Sequence, residues 1–353
     1  MTLQTNGRQT GQGVAARRVI IPLDVPALMR APPAQGAEVV SLSGETMGTT
    51  WSVKCVLPRQ ISTESLRNGI QAVLGSVIAQ MSTWVEDSDI TRFNRSSANT
   101  WHTLPEDFGF VLTYALSLAK ETSGAYDPAS GALVDLWGFG PALRPGRVPA
   151  PNEIGRAQSR CGWRHIRRDT ARGVFQPGGV ALDLSSIAKG FAVDKVSASL
   201  HARGIHNHLV EIGGELCGWG IKPDGSPWWV ALESFSPKVE GARGAHDVVV
   251  ALHGLAVGTS GDHVRFFEQD GERFSHTIDP RSGYPIAHAL TSVTVLHRSC
   301  MQADALATAL FVLGPEEGFI FAAHHNVAAR FVSRADGGYA ERMTPQLVEM
   351  LDE

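Results

Sequence analysis

Two oxygen-bearing side chains stand four residues apart in an otherwise apolar run, Met301 to Leu313, MQADALATALFVL. Ala305, Leu306, Ala309, Leu310 and Val312 recur at helical spacing, and Gly314-Pro315 supplies the stop that a helix end favours. On such a helix Asp304 and Thr308 share one face, so a carboxylate and a hydroxyl project side by side. That pairing suits a hard cation. Magnesium takes oxygen ligands, keeps several waters, and completes its shell with one or two carboxylates and a substrate's phosphates. The same residues also fit a structural role, with Asp304 as an N-cap and Thr308 bonded back to the carbonyl one turn earlier.

Two other stretches carry chemistry. In Ala181 to Leu200, ALDLSSIAKGFAVDKVSASL, the pattern predicts a strand, a Ser-Ser turn and a helix. Backbone amides at a helix N-terminus attract phosphate, and Ser185, Ser186 and Lys189 sit where that geometry would put them. Serine at a cap and lysine on a solvated face explain the same residues, and this is not the G-x-x-x-x-G-K-[ST] loop. In Val257 to Pro285, hairpin signals surround His276, Asp279, Arg281 and Tyr284. The Asp-Pro and Ser-Gly steps demand tight turns, so these side chains gather on a loop.

The elements that must position these groups follow from periodicity. Residues 1 to about 37, rich in Gly, Gln, Pro and Arg, read as a flexible arm, and residues 38–353 as a single domain. Strands are predicted at Val39 to Leu42 and Thr49 to Leu57, and an amphipathic helix over Ile61 to Gln80. Met81 to Asn94 reads as a polar loop, and a second helix runs from about Pro105 to Glu121. Ala125 to Pro141 is turn-rich, its Trp137 and Phe139 either lying against a ligand or pinning the loop to the core. Residues 142 to 180 read as surface connections with short strands. His208 to Gly220 reads as a hairpin turning at Gly213-Gly214, and Thr291 to Leu296 as a strand leading into the Asp304 helix. After it come a helix, a strand over Val327 to Val332, a turn at Gly337-Gly338 and a closing helix. Strands followed by a helix occur in both halves, which is compatible with an internal duplication.

Bulk properties exclude some classes. With 353 residues, 43% hydrophobic and 19% charged, the chain can bury a large core. A net charge of -4 gives no footprint for nucleic acid, and no run of 18 apolar residues predicts a transmembrane segment. Cys55, Cys161, Cys217 and Cys300 are scattered without zinc-type spacing, so buried free thiols are expected. Arg17-Arg18 before VIIPL has the look of a twin-arginine signal, but Pro22, Asp24 and Pro26 interrupt the apolar run, and the region has no Cys for a lipid anchor. That favours the cytoplasm, with the periplasm as the alternative.

The motifs together resemble the ApbE-like flavin transferases. The resemblance rests on ETMGTTWSV at Glu45 to Val53, MSTWVEDSDITRFN, YDPASGALVDLWGFGP, LDLSSIAKGFAVDKV, LVEIGGEL at Leu209 to Leu216, TSGDHVRFF, HTIDPRSGYP and ADALATALFVLG. These run in family order from about Ser41 to Gly314, and their joint occurrence is specific where each alone is weak. The resemblance implies a mixed α+β fold, mainly antiparallel sheet with packed helices, of the T-fold kind. It implies magnesium-dependent transfer of FMN from FAD to a Ser or Thr hydroxyl of an acceptor flavoprotein subunit, releasing AMP. Carried over residue by residue, Asp304 and Thr308 match magnesium ligands, with the Ser186 carbonyl completing the site. Met47, Trp84, Ala125, Tyr126, Asp127, Asp183, Lys189 and Ile278 match FAD-contacting positions, and His276 matches a histidine implicated in the chemistry. Ser185-Ser186 stands where glycine is frequent, and Trp84 where a smaller aromatic is usual. A histidine titrating near neutrality suits the role of general base toward the acceptor hydroxyl. Two other readings share the motifs: an FAD pyrophosphatase that delivers FMN to water, and a non-catalytic flavin-binding protein.

Overall fold

The structure, a computed structural model, describes residues 18–26, 29, 32–33, 36–142, 147–169, 172–233, 248–262, 265–336 and 338–352. Its centre is an eight-stranded antiparallel sheet whose strands lie side by side in chain order: Val39–Thr46, Thr49–Val56, His208–Ile212, Glu215–Trp219, Leu255–Gly261, Leu290–His297, Ala328–Ala335 and Gly338–Met343. The first four strands and the last four follow one plan, a pair of strands, a helix and a second pair. The central helix is Ala188–Ala202 in the first half and Cys300–His324 in the second. The duplication suggested by the sequence is therefore visible as architecture.

Both central helices pack on one face of the sheet and against each other. On the opposite face lies a small sheet in the order Leu351–Asp352, Arg18–Ile20, Val248–Leu252 and Trp228–Ala231. Side chains on a strand alternate in direction, so Ala256 joins the helical core while its neighbour Val257 joins the core under the small sheet. Burial on both faces explains why a central strand such as Leu290–His297 is buried along almost its whole length rather than at alternate positions.

Several expectations need correcting. The N-terminal arm is ordered near its end, because Arg18–Ile20 pairs with Val248–Leu252 and with Leu351–Asp352 and buries Ile20; residues 1–17 lie outside the described residues. The polar loop over 81–94 contains a helix, Asp89–Arg95, started by Ser88, whose hydroxyl accepts from the Thr91 amide. A helix, Pro151–Gln158, also interrupts the stretch read as surface connections. No strand forms over 181–184. There Asn94 brackets Leu182, its amide donating to the Leu182 carbonyl and its oxygen accepting from the Leu182 amide, and the Asp183 amide donates to the Pro128 carbonyl; these contacts supply the bonds a strand partner would give. The closing helix is one turn, Pro345–Val348, and Gly337 of the predicted turn lies outside the described residues.

Gly314-Pro315 ends the helical segment that carries Asp304, as expected, and a second segment follows it directly. Gly314 takes φ 84°, and helix resumes at Pro315 and runs to His324. Proline has no N–H for the carbonyl four residues earlier, Phe311, and His288 Nε2–H donates to that carbonyl at 2.7 Å instead. By length and composition Cys300–His324 is apolar enough to cross a membrane, but much of it is interior, with Ala303, Ala305, Ala307, Ala309 and Leu310 buried among the sheet and the partner helix. All four cysteines are free and buried, as expected.

The loop bearing His276 rests on a third, smaller core built around Trp137. This side chain is fully buried, stacks on Phe274 and donates from Nε1 to the Gly283 carbonyl at 2.9 Å, so it pins the loop rather than facing a ligand. Trp137→Ala is expected to lower unfolding free energy by about 3–5 kcal/mol, read from urea denaturation. A loss under about 1 kcal/mol would mean that the loop is held by other contacts.

Candidate active site

A cavity of about 1210 Å³ opens beside the sheet, walled by the central helices and, through Val230 and Ala231, by the small sheet as well. Each element brings a residue to it for a local reason. The two-residue turn Met47-Gly48 joins the first two strands with both residues at positive φ, 50° and 70°, the geometry of a type I′ hairpin, and this turns Met47 onto the cavity wall. Trp84, 56% exposed, stands among the lining residues as a broad aromatic face still open to a ring partner. Ala125, Tyr126 and Asp127 come from the turn after Glu106–Glu121, Asp183 and Ser186 from the pinned segment before Ala188–Ala202, and Lys189 from that helix's first turn. Ile278 and His276 arrive on the loop over Trp137. Asp304 and Thr308 complete the wall. The twelve residues to which the family resemblance assigns a role thus line one cavity, whereas Asp279, Arg281 and Tyr284 of the His276 loop are not part of its wall.

Neither structural reading of the Asp304 and Thr308 pair describes their bonds. The Cys300–His324 helix is capped by Ser299, whose hydroxyl accepts from the Gln302 amide. Asp304 instead reaches across to the neighbouring helix, where its Oδ2 accepts from the Gly190 amide at 2.9 Å. The Thr308 hydroxyl meets Ser260 Oγ at 2.9 Å on the sheet. Close approach is what allows this. A Cβ on Gly190 would lie 2.3 Å from the Cys300 carbonyl oxygen, and one on Gly258 would lie 2.5 Å from the Asp304 nitrogen.

Charge is concentrated here. Asp304 is 3% exposed and Glu215 1% exposed, and Lys189 Nζ bonds Glu215 Oε2 at 2.6 Å. Burial raises both acids; Glu215, which also feels the Asp304 charge, is pushed up to about 8, and Asp304 is raised despite the Lys189 charge and the Gly190 amide. Two buried acids share one ammonium, and the raised values of both show that the site disfavours two negative charges until a further cation joins them. Among the described residues no three His, Cys, Asp or Glu side chains gather as a metal cage. Carboxylate, hydroxyl and carbonyl oxygens that leave coordination positions to water and phosphate fit magnesium and fit zinc poorly.

The remaining predicted residues differ in how much of them is free. Asp127 uses both carboxylate oxygens on backbone amides, Ala129 at 2.8 Å and Trp163 at 3.0 Å, while burial holds it up at about 6. The Asp183 Oδ1 accepts from the Ser185 amide and shapes the turn. Ser186 Oγ donates to the Tyr126 hydroxyl at 3.1 Å. The His276 ring meets the Arg265 carbonyl through Nδ1 at 3.1 Å; a carbonyl only accepts, so Nδ1 carries the hydrogen and Nε2 the lone pair. Burial, then the Arg265 and Lys189 charges, lower its pKa against the opposing pull of that bond.

Sequence reasoning missed Glu215 and Ser260. Glu215 follows Gly213-Gly214 as the first residue of an otherwise apolar strand, and an acid in that position was the available signal. Ser260 gave none, since hydroxyls are common near strand ends.

A family model described as the ApbE family matches residues 47–331. The chain is 41% identical over 315 residues to the FAD:protein FMN transferase of Haemophilus influenzae, covering 86% of this chain and 89% of that one. To the FAD:protein FMN transferase of Vibrio cholerae it is 40% identical over 313 residues, covering 86% and 90%. The apo crystal structure of the Pseudomonas stutzeri flavinyl transferase ApbE superposes with a TM-score of 0.82 at 40% identity, over 89% of this chain and 97% of that one. The matched span runs from the Met47-Gly48 turn through both central helices and holds every residue named in the cavity wall, so the chain belongs to the ApbE family.

Proposed function

We propose that this protein transfers FMN from FAD onto a serine or threonine hydroxyl of an acceptor protein, with magnesium held by Asp304, Thr308 and the Ser186 carbonyl. FAD as donor and a protein as acceptor follow from the names its relatives carry. The observation that carries the finer reading is the convergence of a buried carboxylate, a hydroxyl and a neutral histidine on one cavity large enough for a dinucleotide. When bound, the cation would neutralise charge on the diphosphate as its bond is cleaved. The protein's own residues do the rest. Lys189 brings its ammonium to the cavity wall for the phosphate oxygens, and Trp84 offers a face for a flavin or adenine ring. The acceptor oxygen attacks the FMN phosphorus, the bond from that phosphorus to the bridging oxygen breaks, and AMP departs with that oxygen. His276 Nε2 takes the hydroxyl proton.

Incubating the protein with FAD, magnesium and a peptide bearing a serine or threonine flavinylation sequence should give a covalent fluorescent band, with AMP formed in equal amount. Free FMN and AMP with an unlabelled peptide would make the protein a pyrophosphatase instead. Intact FAD after prolonged incubation would make it a carrier.

A further inference from the structure

The Gly190 bond to Asp304 has a partner running the other way. Asp194, on the Ala188–Ala202 helix, accepts from the Cys300 amide at 2.9 Å through Oδ1, and from the Met301 amide at 3.0 Å and the Ser299 hydroxyl at 2.7 Å through Oδ2. Each central helix therefore lends an aspartate to the first turn of the other, where unpaired amides need an acceptor. The exchange is symmetric in sequence. Asp194 and Asp304 stand 110 positions apart, and so do the positions they cap, Gly190 and Cys300. The two helices occupy equivalent places in the two halves of the fold, so the aspartates are counterparts across the internal duplication. Asp304 lines the cavity, whereas Asp194 is not among the residues that line it.

We propose that Asp194 is a positioning residue for the cation site. By fixing the first turn of the Cys300–His324 helix against the partner helix, it sets the depth and rotation at which Asp304 and Thr308, one and two turns further on, meet the cavity. Losing it frees that turn to slide, and the Asp304 carboxylate drifts from the place where Gly190 and Lys189 hold it. Asparagine keeps the shape of the side chain but turns an NH2 toward amide donors and removes the charge that suits a helix N-terminus.

The proposal rests on magnesium binding with FAD at Asp304, and the test separates the two claims. FAD dissociation constants are measured from quenching of flavin fluorescence, with and without magnesium, on the full chain. In the unmodified protein magnesium is expected to tighten FAD binding. In Asp194→Asn that gain should shrink by about 10–100-fold, the range typical of groups that orient a metal ligand, while binding without magnesium is unchanged. Ser299→Ala removes the helix's own cap but leaves the Asp194 bonds to the Cys300 and Met301 amides; it should lower the melting temperature and keep the gain. A merely structural Asp194 would behave like Ser299, and an Asp194→Asn protein that retains the full magnesium gain overturns the proposal. If Asp194→Asn does not fold, Asp194→Ala, which removes the acceptor without placing an NH2 against the Cys300 and Met301 amides, is read in its place, and a retained gain there is equally fatal. No magnesium gain in the unmodified protein would remove the cation site itself, and the positioning role with it.

Discussion

Asp304→Ala is expected to abolish FMN transfer, with a fall of at least about three powers of ten, because the lost charge stabilisation is worth several kcal/mol and each 1.36 kcal/mol is tenfold in rate. The effect should be chemical rather than structural. Asp304 is buried and raised in pKa, so its removal relieves an electrostatic cost while leaving only the Gly190 amide without its partner. The protein should therefore fold, bind FAD in the absence of magnesium, and lose the response to magnesium. Asp304→Asn is the sharper variant. Its side-chain oxygen can still accept from Gly190, so the helix contact survives while the anionic ligand does not. Transfer above about a tenth of the original rate in both variants would remove Asp304 from the cation site.

The same residue shows where sequence reasoning succeeded and where it stopped. Spacing placed Asp304 and Thr308 on one helix face, because that depends only on the 3.6-residue period. What each bonds is set by an element distant in the chain, a helix 114 positions away for Asp304 and a strand 48 positions away for Thr308, and no local pattern reports it. The cap reading was right about the chemistry and wrong about the recipient: Asp304 does satisfy a helix amide, but that of Gly190. The turn at Met47-Gly48 was legible because two-residue hairpins need positive φ, and glycine marks the place. The helix at Asp89–Arg95 was hidden because seven residues carry too little periodicity to outweigh a polar composition, and Ser88 reads equally well as loop. Strand Arg18–Ile20 was hidden for a different reason. Three residues become a strand only because Val248–Leu252 and Leu351–Asp352 offer edges on both sides, and that is a tertiary fact.

Of the cavity, the motifs gave membership and left the electrostatics unread. Lys189 was assigned to phosphate, yet it also holds Glu215, an acid the hairpin reading passed over. Burial is what gives this pair its weight, and burial of a strand's first residue depends on which sheet neighbour and helix cover it.

His276→Ala is expected to cut FMN transfer by roughly two to four powers of ten, the range for loss of a general base, and to leave FAD affinity unchanged. Geometry and charge both support the role. The Arg265 carbonyl fixes the tautomer with Nε2 unprotonated, and the edge of Phe139, 6.2 Å between ring centres, helps set the ring's orientation. The pH dependence gives an independent check. A base works when neutral, and the pKa of His276 is lowered from the ordinary 6.5 by burial first and by the Arg265 and Lys189 charges after it. The acidic limb that His276 gives to transfer against pH should therefore fall below pH 6.5. That limb should vanish in His276→Ala, whose slow residual rate has lost the group that titrates. An unchanged rate in the variant, or an acidic limb that survives the substitution, would assign the proton to another acceptor and leave His276 a bridge between its loop and the cavity.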